Sequence, residues 1–226
     1  MINNRLVNTS IIVTGVATIM FVIFPDWDLA VSGLFYSPVE LDFIYKRNSI
    51  VYFFFDSVPI LAKLFIITCL IYLICIICKY KSFKKTISSW VIFLVISGAI
   101  GPGLVVNYVF KEHSGRARPT QIVEFDGKKQ FSPALTISDQ CSTNCSFSSG
   151  HASMAFYFTA LAYVASHLYF TRIYLLGLGF GVVVSVSRII MGGHFISDVL
   201  ASAFIVLLFN HLIYFLWKRK TSEQTK

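Results

Sequence analysis

Charged side chains are scarce in this chain. Asp, Glu, Lys and Arg make up 13% of its 226 residues, about half the ~25% that is typical of soluble proteins. Hydrophobic residues make up 56%, including 22 Phe, which is more than a soluble domain of this length can hide. This composition excludes an ordinary water-soluble protein. The length favours a single domain, which we expect to cover the whole chain, residues 1–226.

Acidic residues are scarcer than basic ones, with 11 Asp and Glu against 19 Lys and Arg and a net charge of +8. The basic residues form no stripe with interleaved exposed aromatics, so nucleic-acid binding is not expected. In membrane proteins such charge more often lies in cytoplasmic loops beside anionic headgroups. The bilayer is therefore the expected partner, and no obligate protein partner is inferred.

Six apolar stretches approach the ~20 residues that are needed to cross ~30 Å of hydrocarbon. They cover residues 6–24, 60–78, 87–109, 152–169, 173–190 and 197–217. The first lacks a small-residue cleavage site, so we interpret it as a retained span. The stretch 50–59 contains Asp56 and ends at Pro59, which favours an interfacial helix before span two. The expected fold is an all-α polytopic membrane protein with six transmembrane helices plus this interfacial helix.

Short basic segments predict the orientation in the membrane. The loop 79–86 holds four lysines in eight residues, and the tail 218–226 opens with Lys-Arg-Lys. With an even number of spans both lie on the side of the N-terminus, which the positive-inside rule makes cytoplasmic. The long polar segment 111–150 then lies outside, and a loop of that length is usually functional.

Three polar clusters fall on the outer side under this topology. They run from Lys111 to Pro119 after span three, from Ser146 to His151 at the start of span four, and from Ser187 to Asp198 between spans five and six. Together they bring Lys, Arg, Ser, His and Asp side chains to one face. Phosphoryl transfer needs such groups, because its catalysis is largely positioning and electrostatic stabilisation.

Phosphate binding accounts for five members of these clusters. Lys111 supplies a compact charge, while Arg118 and Arg188 supply planar forks that can grip two oxygens each. Ser149 and Gly150 stand where span four begins, and amides at a helix N-terminus point at an anion. We therefore predict that these five residues bind the phosphate.

Two histidines and an aspartate account for the chemistry. His194 can attack phosphorus when one ring nitrogen is neutral, and Asp198, four residues on, can accept the other ring N–H. His151 would protonate the leaving oxygen and later take a proton from the attacking water. These three are the predicted catalytic residues. His113 and Arg116 are candidates for headgroup contacts, and a solvated loop explains them equally well.

These residues resemble, in order and spacing, the three-motif signature of the type 2 phosphatidic acid phosphatase superfamily. The first cluster is similar to its Lys-x6-Arg-Pro element, the second to its Ser-Gly-His and the third to its Ser-Arg-x5-His-x3-Asp element. Pro usually precedes the Ser-Gly-His, whereas Ser148 stands here, which loosens the turn into span four. The resemblance implies a six-helix core, no metal or other cofactor, a phosphohistidine on His194, and His151 as acid and base.

A narrower resemblance concerns the substrate. The run from Gly101 to Asn107 and the Cys141-x3-Cys145-Ser-Phe run look like the lipid A phosphatase branch of that superfamily. This resemblance implies a lipid substrate with a phosphorylated headgroup, with the 4′-phosphate of lipid A favoured over the 1-phosphate. The enzyme would lie in a bacterial inner membrane with its site facing the periplasm. Lys128 and Lys129 would suit the several negative charges of such a headgroup.

Five cysteines give an odd count, so not all of them can pair. Cys69, Cys75 and Cys78 lie in span two, where they most simply behave as small buried hydrophobes. Cys141 and Cys145 lie in the outer loop, where an oxidising compartment permits a disulfide. Zinc is not expected, because two thiols without further matched ligands make an incomplete site.

Other functions stay open on the sequence. The same chemistry suits undecaprenyl pyrophosphate, phosphatidylglycerol phosphate or phosphatidic acid, and the same intermediate could pass its phosphate to another lipid. The non-enzymatic alternative is a lipid carrier that binds headgroups without reacting. Transport needs charge recognition but no His–Asp pair with a second His, which favours the enzyme.

Overall fold

The described part of the chain is mostly helical. A computed structural model describes residues 3–78 and 85–223. The helices are α1 (Asn4–Ile23), α2 (Asp26–Gly33), α3 (Ser49–Ile77), α4 (Lys85–Gly98), a π-helix (Ala99–Lys111), α5 (Gly150–Tyr157), α6 (Ala160–Val164), α7 (Phe170–Ile190) and α8 (Ile196–Glu223). Short 3₁₀ helices lie at Pro119–Gln121 and Val123–Phe125, and strands β1 (Tyr36–Ser37) and β2 (Asp42–Phe43) pair antiparallel.

Five helices in these two described ranges are long and apolar enough to cross a bilayer. They are Asn4–Ile23, Ser49–Ile76, Ser89–Lys111, Phe170–Ile190 and Ile196–Arg219. They correspond to the predicted spans one, two, three, five and six, so the prediction of a helical membrane protein is confirmed. The basic loop 79–86 lies outside the described residues except for its last two positions, and so does the end of the tail, 224–226.

The predicted fourth span, 152–169, is not one long helix. Phe158 and Thr159 separate α5 from α6, and both of their amides donate to the carbonyl three residues back, at 3.3 and 3.0 Å. Gly177 of α7 packs against this break, since an added Cβ there would lie 2.7 Å from the Thr159 nitrogen. Asn210 donates to Thr159 Oγ1 at 3.0 Å. Contacts of this kind let a membrane helix be interrupted without unsatisfied polar groups.

The predicted interfacial helix over 50–59 is not a separate element. α3 runs without interruption from Ser49 to Ile77, with Pro59 inside it. Asn48 caps its start, because its Oδ1 accepts from the amides of Ile50 and Val51 at 3.0 and 3.3 Å. Membrane helices tolerate an internal proline where local adjustment and neighbouring groups satisfy the freed carbonyl. A distinct interfacial helix is therefore not confirmed.

Helix packing brings the ends that carry the three clusters together. α8 packs against α1, α4, α5 and the π-helix, while α7 packs against α3, α5 and α6. Their shared core contains Phe93, Phe156, Tyr163, Tyr174 and Val206. At one end of this bundle the Ser149 amide, just before α5, donates to the carbonyl of Asp198 in the first turn of α8, at 3.4 Å.

The β1–β2 hairpin supports the loop between α7 and α8. Phe43 of β2 is 3% exposed and packs with Tyr36 and Phe125, at ring-centroid distances of 5.6 and 5.5 Å. Gly192 lies directly against Phe43, since an added Cβ would be 2.4 Å from Cδ2. Gly192 also has a φ of +66°, a conformation that glycine adopts without strain. The hairpin therefore fixes the turn that precedes His194.

Candidate active site

The first and second clusters meet at the start of α5. Ser149 is the N-cap of this helix, and its Oγ accepts from the Ala152 amide at 3.4 Å. Lys111, the last residue of the π-helix, lies beside Gly150. A Cβ added to Gly150 would be 3.2 Å from Lys111 Nζ and 2.6 Å from Asn107 Oδ1. The lysine ammonium therefore lies where the helix N-terminus would also attract an anion.

His151, the second residue of α5, lies among cations. Burial first, and then the charges of Arg188, Lys111 and Arg118, lower the pKa of His151 to about 3. Its ring stacks on Phe55 of α3, with centroids 4.6 Å apart and planes at 20°. Arg188 Cζ lies 4.6 Å from the centroid of the same Phe55 ring. Phe55 could not be identified from the sequence, because it stands in an apolar run with other phenylalanines.

Arg188 connects α7 to the loop that carries the third histidine. Its side chain is buried at 4% exposure. The Arg188 carbonyl accepts from the amides of Gly193 and His194 at 2.9 and 3.2 Å, which folds the loop back onto the helix end. A Cβ added to Gly193 would lie 2.3 Å from Arg188 Nη2. Gly193 thus leaves the space that the guanidinium occupies.

Replacing Gly193 with alanine is expected to displace the Arg188 guanidinium and to lower kcat/KM by about 10- to 100-fold, because a misplaced phosphate contact weakens both binding and orientation. Phosphate release by the purified variant measures this. Gly179→Ala is the matched control, since Gly179 lies in the same helix as Arg188 with no atom within 4 Å of an added Cβ. Equal losses for both variants would contradict the explanation.

His194 is fully buried between α7 and α8. Its Nδ1 lies 3.4 Å from Asp198 Oδ2, and neither ring nitrogen hydrogen-bonds to any part of the chain that the structure describes. Burial, aided by the charges of Arg188 and Arg118 and opposed by Asp198, lowers the pKa of His194 to about 3. The imidazole is therefore neutral at ordinary pH and keeps a lone pair on one nitrogen.

The Asp198 carboxylate joins all three clusters. Its Oδ2 accepts from Ser146 Oγ at 2.5 Å and from the Phe195 amide at 2.9 Å. Its Oδ1 accepts from Arg116 Nη1 at 2.5 Å. Ser146 and Arg116 belong to the second and first clusters, so this carboxylate fixes the long loop and the start of α8 relative to each other.

The expected headgroup contact by Arg116 is wrong. Its side chain is fully buried, and its other partners are Asp28 Oδ2, Ser197 Oγ and the Ser132 carbonyl, each at 2.8 Å. Each nitrogen of this guanidinium already has an acceptor inside the protein, so none is left for a lipid headgroup. The local charge pattern does not distinguish a solvated arginine from a buried one, and Asp28 is far away in the sequence.

His113 lies apart from this cluster. It is exposed, and its Nδ1 lies 2.9 Å from the Tyr108 carbonyl of the π-helix. The aromatic ring of Tyr108 packs edge-on against it, at a centroid distance of 5.5 Å. A headgroup contact by His113 stays a prediction.

Arg118 lies beside a short loop that a disulfide closes. Cys141 and Cys145 are bonded, and Asn144 between them has a φ of +53°. Arg118 Nη2 donates to the Asn144 carbonyl at 2.9 Å and to its Oδ1 at 3.1 Å. The closed loop therefore orients the Arg118 guanidinium.

Comparison with known proteins identifies the family to which the chain belongs. Residues 89–222 match the PAP2 superfamily. The chain is 35% identical over 218 residues to a lipid A 4′-phosphatase from Francisella tularensis subsp. novicida (strain U112), covering 93% of this chain and 95% of that protein. It is 39% identical over 101 residues to a lipid A 4′-phosphatase from Rhizobium leguminosarum, covering 44% of this chain and 43% of that protein. No solved structure matches. The chain therefore belongs to the PAP2 superfamily and is a phosphoric monoester hydrolase of the membrane.

Proposed function

We propose that this enzyme removes the 4′-phosphate from lipid A at the periplasmic face of a bacterial inner membrane, through a phosphohistidine on His194. The observation that carries the chemistry is the neutral, buried His194 ring, 3.4 Å from Asp198 Oδ2 and within the field of Arg188 and Arg118. The substrate is supported by the Francisella relative, nearly all of which this chain covers.

The first step forms the covalent intermediate. Lys111, Arg118 and Arg188 bind the three non-bridging oxygens and stabilise the charge that spreads over them. His194 Nε2 attacks phosphorus while its Nδ1–H donates to Asp198, so that the bond to the sugar oxygen breaks. His151 gives its proton to that leaving oxygen. The contact between His194 and Asp198 would shorten from its present distance when the phosphate binds, as catalytic contacts often do.

The second step returns the enzyme to its starting state. His151, now neutral, takes a proton from a water molecule that attacks the phosphohistidine. The P–N bond breaks, inorganic phosphate leaves, and His194 recovers its lone pair. Acceptance of the phosphate by a second lipid instead of water is the phosphotransferase alternative, and the product analysis below distinguishes the two.

We infer six crossings, with α5 and α6 together as the fourth. The start of α5 lies beside Asp198, whereas Tyr163 of α6 packs against Phe170 at the start of α7, at a ring-centroid distance of 5.4 Å. α7 then returns to the site at Arg188. The chain between α5 and α7 therefore passes from one end of the bundle to the other. Six crossings place both termini opposite the site, and the lysines of 79–86 favour the cytoplasm for that side.

The pH dependence tests the role of His151. Burial, and then the charges of the cationic neighbours, lower the pKa of the His151 imidazole in the empty site. A bound phosphate dianion offsets those charges, so the pKa rises in the complex. Arg118→Gln removes one of these cations. Protonated His151 then persists to higher pH, so the basic limb of the kcat profile is expected to move to higher pH. KM is expected to rise, because a phosphate contact is lost.

Arg172→Gln is the control for this experiment, since it removes an exposed arginine at the far end of α7. Initial rates over a range of pH give both profiles. If the basic limb of Arg118→Gln moves to lower pH or stays in place, His151 is not the proton donor.

The substrate is tested by mass spectrometry of total lipids from cells with and without the gene. Loss of about 80 Da from lipid A, the mass of one phosphoryl unit as transferred in such chemistry, is the expected result. Fragmentation should place the loss at the 4′ position. An unchanged lipid A with altered undecaprenyl pyrophosphate or phosphatidylglycerol phosphate would assign the other substrates, and movement of intact lipid without phosphate loss would indicate a carrier.

A further inference from the structure

We propose that Arg116 and Asp28 are positioning residues that keep the Asp198 carboxylate ionised and correctly placed behind His194. This inference rests on the proposed function and extends its machinery beyond the three motifs. Neither residue stands at a position that those motifs specify. Asp28 also lies outside residues 89–222, which match the family model.

Three buried charges form a chain from α2 to α8. Arg116 Nη2 lies 2.8 Å from Asp28 Oδ2, and Nη1 lies 2.5 Å from Asp198 Oδ1. All three side chains have 0% exposure. One cation thus stands between two carboxylates, in a region where an unpaired charge would be very costly.

Ser197 ties this chain of charges to the backbone of α8. Its Oγ accepts from Arg116 Nη1 at 2.8 Å and donates to Asp28 Oδ2 at 2.5 Å. Its amide donates to Asp28 Oδ1 at 2.9 Å. Since Ser197 directly precedes Asp198, the contacts with Asp28 also fix the helix turn that carries the catalytic carboxylate.

The geometry around Arg116 suits a guanidinium and not an ammonium. Nε donates to the Ser132 carbonyl at 2.8 Å, so each of the three nitrogens has an acceptor. Cζ lies 4.3 Å from the centroid of the Phe195 ring and 5.5 Å from that of Phe131. A lysine would keep the charge but lose the planar fork and the stacking.

The charged groups around Asp198 differ in sign. The groups that face Asp198 are His194 from the α7–α8 loop, Arg116 from the long loop and Asp28 from α2, and Arg118 and Lys111 act from farther away. Arg116 favours the ionised carboxylate, whereas Asp28 opposes it as a like charge. Substitutions at the two positions therefore have opposite electrostatic effects on the same carboxylate.

The test compares pH profiles of kcat/KM for Arg116→Gln and Asp28→Asn. Without its cation, the buried Asp198 takes up a proton more readily, so the acid limb of Arg116→Gln is expected to move to higher pH. Asp28→Asn removes a like charge, so its acid limb should not move upward. In both variants kcat is expected to fall by on the order of 100-fold with little change in KM, because the attacking histidine is misaligned.

Matched controls separate positioning from folding. Arg172→Gln and Asp26→Asn make the same chemical changes at exposed residues, and Asp26 lies in the same helix as Asp28. The position of a pH limb does not depend on how much of the protein is folded. In Arg116→Lys the acid limb is expected to lie at its wild-type pH, because the positive charge is kept, whereas kcat stays low because the planar fork is lost. If Arg116→Gln does not accumulate in the membrane, Arg116→Lys and Asp28→Asn carry the test.

Two results would overturn the inference. One is an unshifted acid limb in Arg116→Gln, with a loss of activity that only follows the loss of folded protein. The other is an upward shift of equal size in Asp28→Asn. The variant His194→Ala separates this failure from failure of the proposed function. An active His194→Ala enzyme would refute the mechanism itself. An inactive His194→Ala enzyme, together with an unshifted pH profile in Arg116→Gln, would refute only the positioning roles.

Discussion

Replacing His194 with alanine is expected to lower kcat for phosphate release by at least about 10⁵-fold, because only binding and electrostatic stabilisation then remain. The ring is fully buried, and its Nδ1 lies 3.4 Å from the Asp198 carboxylate. Burial also keeps it neutral by lowering its pKa to about 3. Inorganic phosphate released by purified protein in detergent or liposomes measures the effect.

The control for this substitution is His167→Ala, which makes the same change at an exposed histidine between α6 and α7. It is expected to keep wild-type activity. Substrate binding should survive in His194→Ala, because Lys111, Arg118 and Arg188 are unchanged. A His194→Ala enzyme that turns over at more than a few per cent of the wild-type rate is incompatible with a histidine nucleophile at this position.

Replacing Asp198 with asparagine is the second large effect, with an expected fall in kcat of about 10³- to 10⁴-fold. The amide keeps the size of the carboxylate but can present an N–H to His194, which favours the wrong tautomer of the attacking ring. It also leaves Arg116 with one carboxylate partner instead of two. A lower melting temperature should therefore accompany the lower rate.

Asp26→Asn is the control for Asp198→Asn, since Asp26 is exposed in α2 and has no place in the site. The kinetic and thermal effects of Asp198→Asn are measured on the same preparation. A variant with wild-type kcat and only a reduced melting temperature would show that Asp198 is structural and does not orient the nucleophile.

The residues at the motif positions could be predicted from the sequence. Lys111, His151 and Arg188 each stand at the end of an apolar stretch, and the alternation of spans brings those ends to one side. Their side-chain types match the needs of phosphoryl transfer. The structure brings them close enough for the charges of Lys111 and Arg188 to act on His151.

The residues that hold the motif residues in place could not be predicted in this way. Asp28 and Arg116 are 88 residues apart in the chain, and nothing in the local pattern of either one names its partner. Phe55 contacts both His151 and Arg188, yet it resembles every other phenylalanine in an apolar helix. These contacts depend on the packing of distant helices, which a local reading of charge and hydropathy does not contain.

The interruption between α5 and α6 has the same origin. No Pro lies in 152–169 and no Gly either, so the sequence predicts one continuous helix there. The break coincides with the close approach of Gly177 and the hydrogen bond from Asn210 to Thr159. Conversely, Pro59 suggested a boundary, and α3 continues through it.

The central claim is a covalent phosphohistidine on His194, and trapping this intermediate tests it most directly. Purified enzyme is mixed with a phosphorylated lipid A substrate, quenched in alkali within the first turnover, digested and mapped by mass spectrometry. We predict an added mass of about 80 Da, one phosphoryl unit, on the peptide that contains His194, and none in His194→Ala. Full turnover without a phosphorylated His194 peptide, or with the phosphoryl group on another residue, would contradict the mechanism.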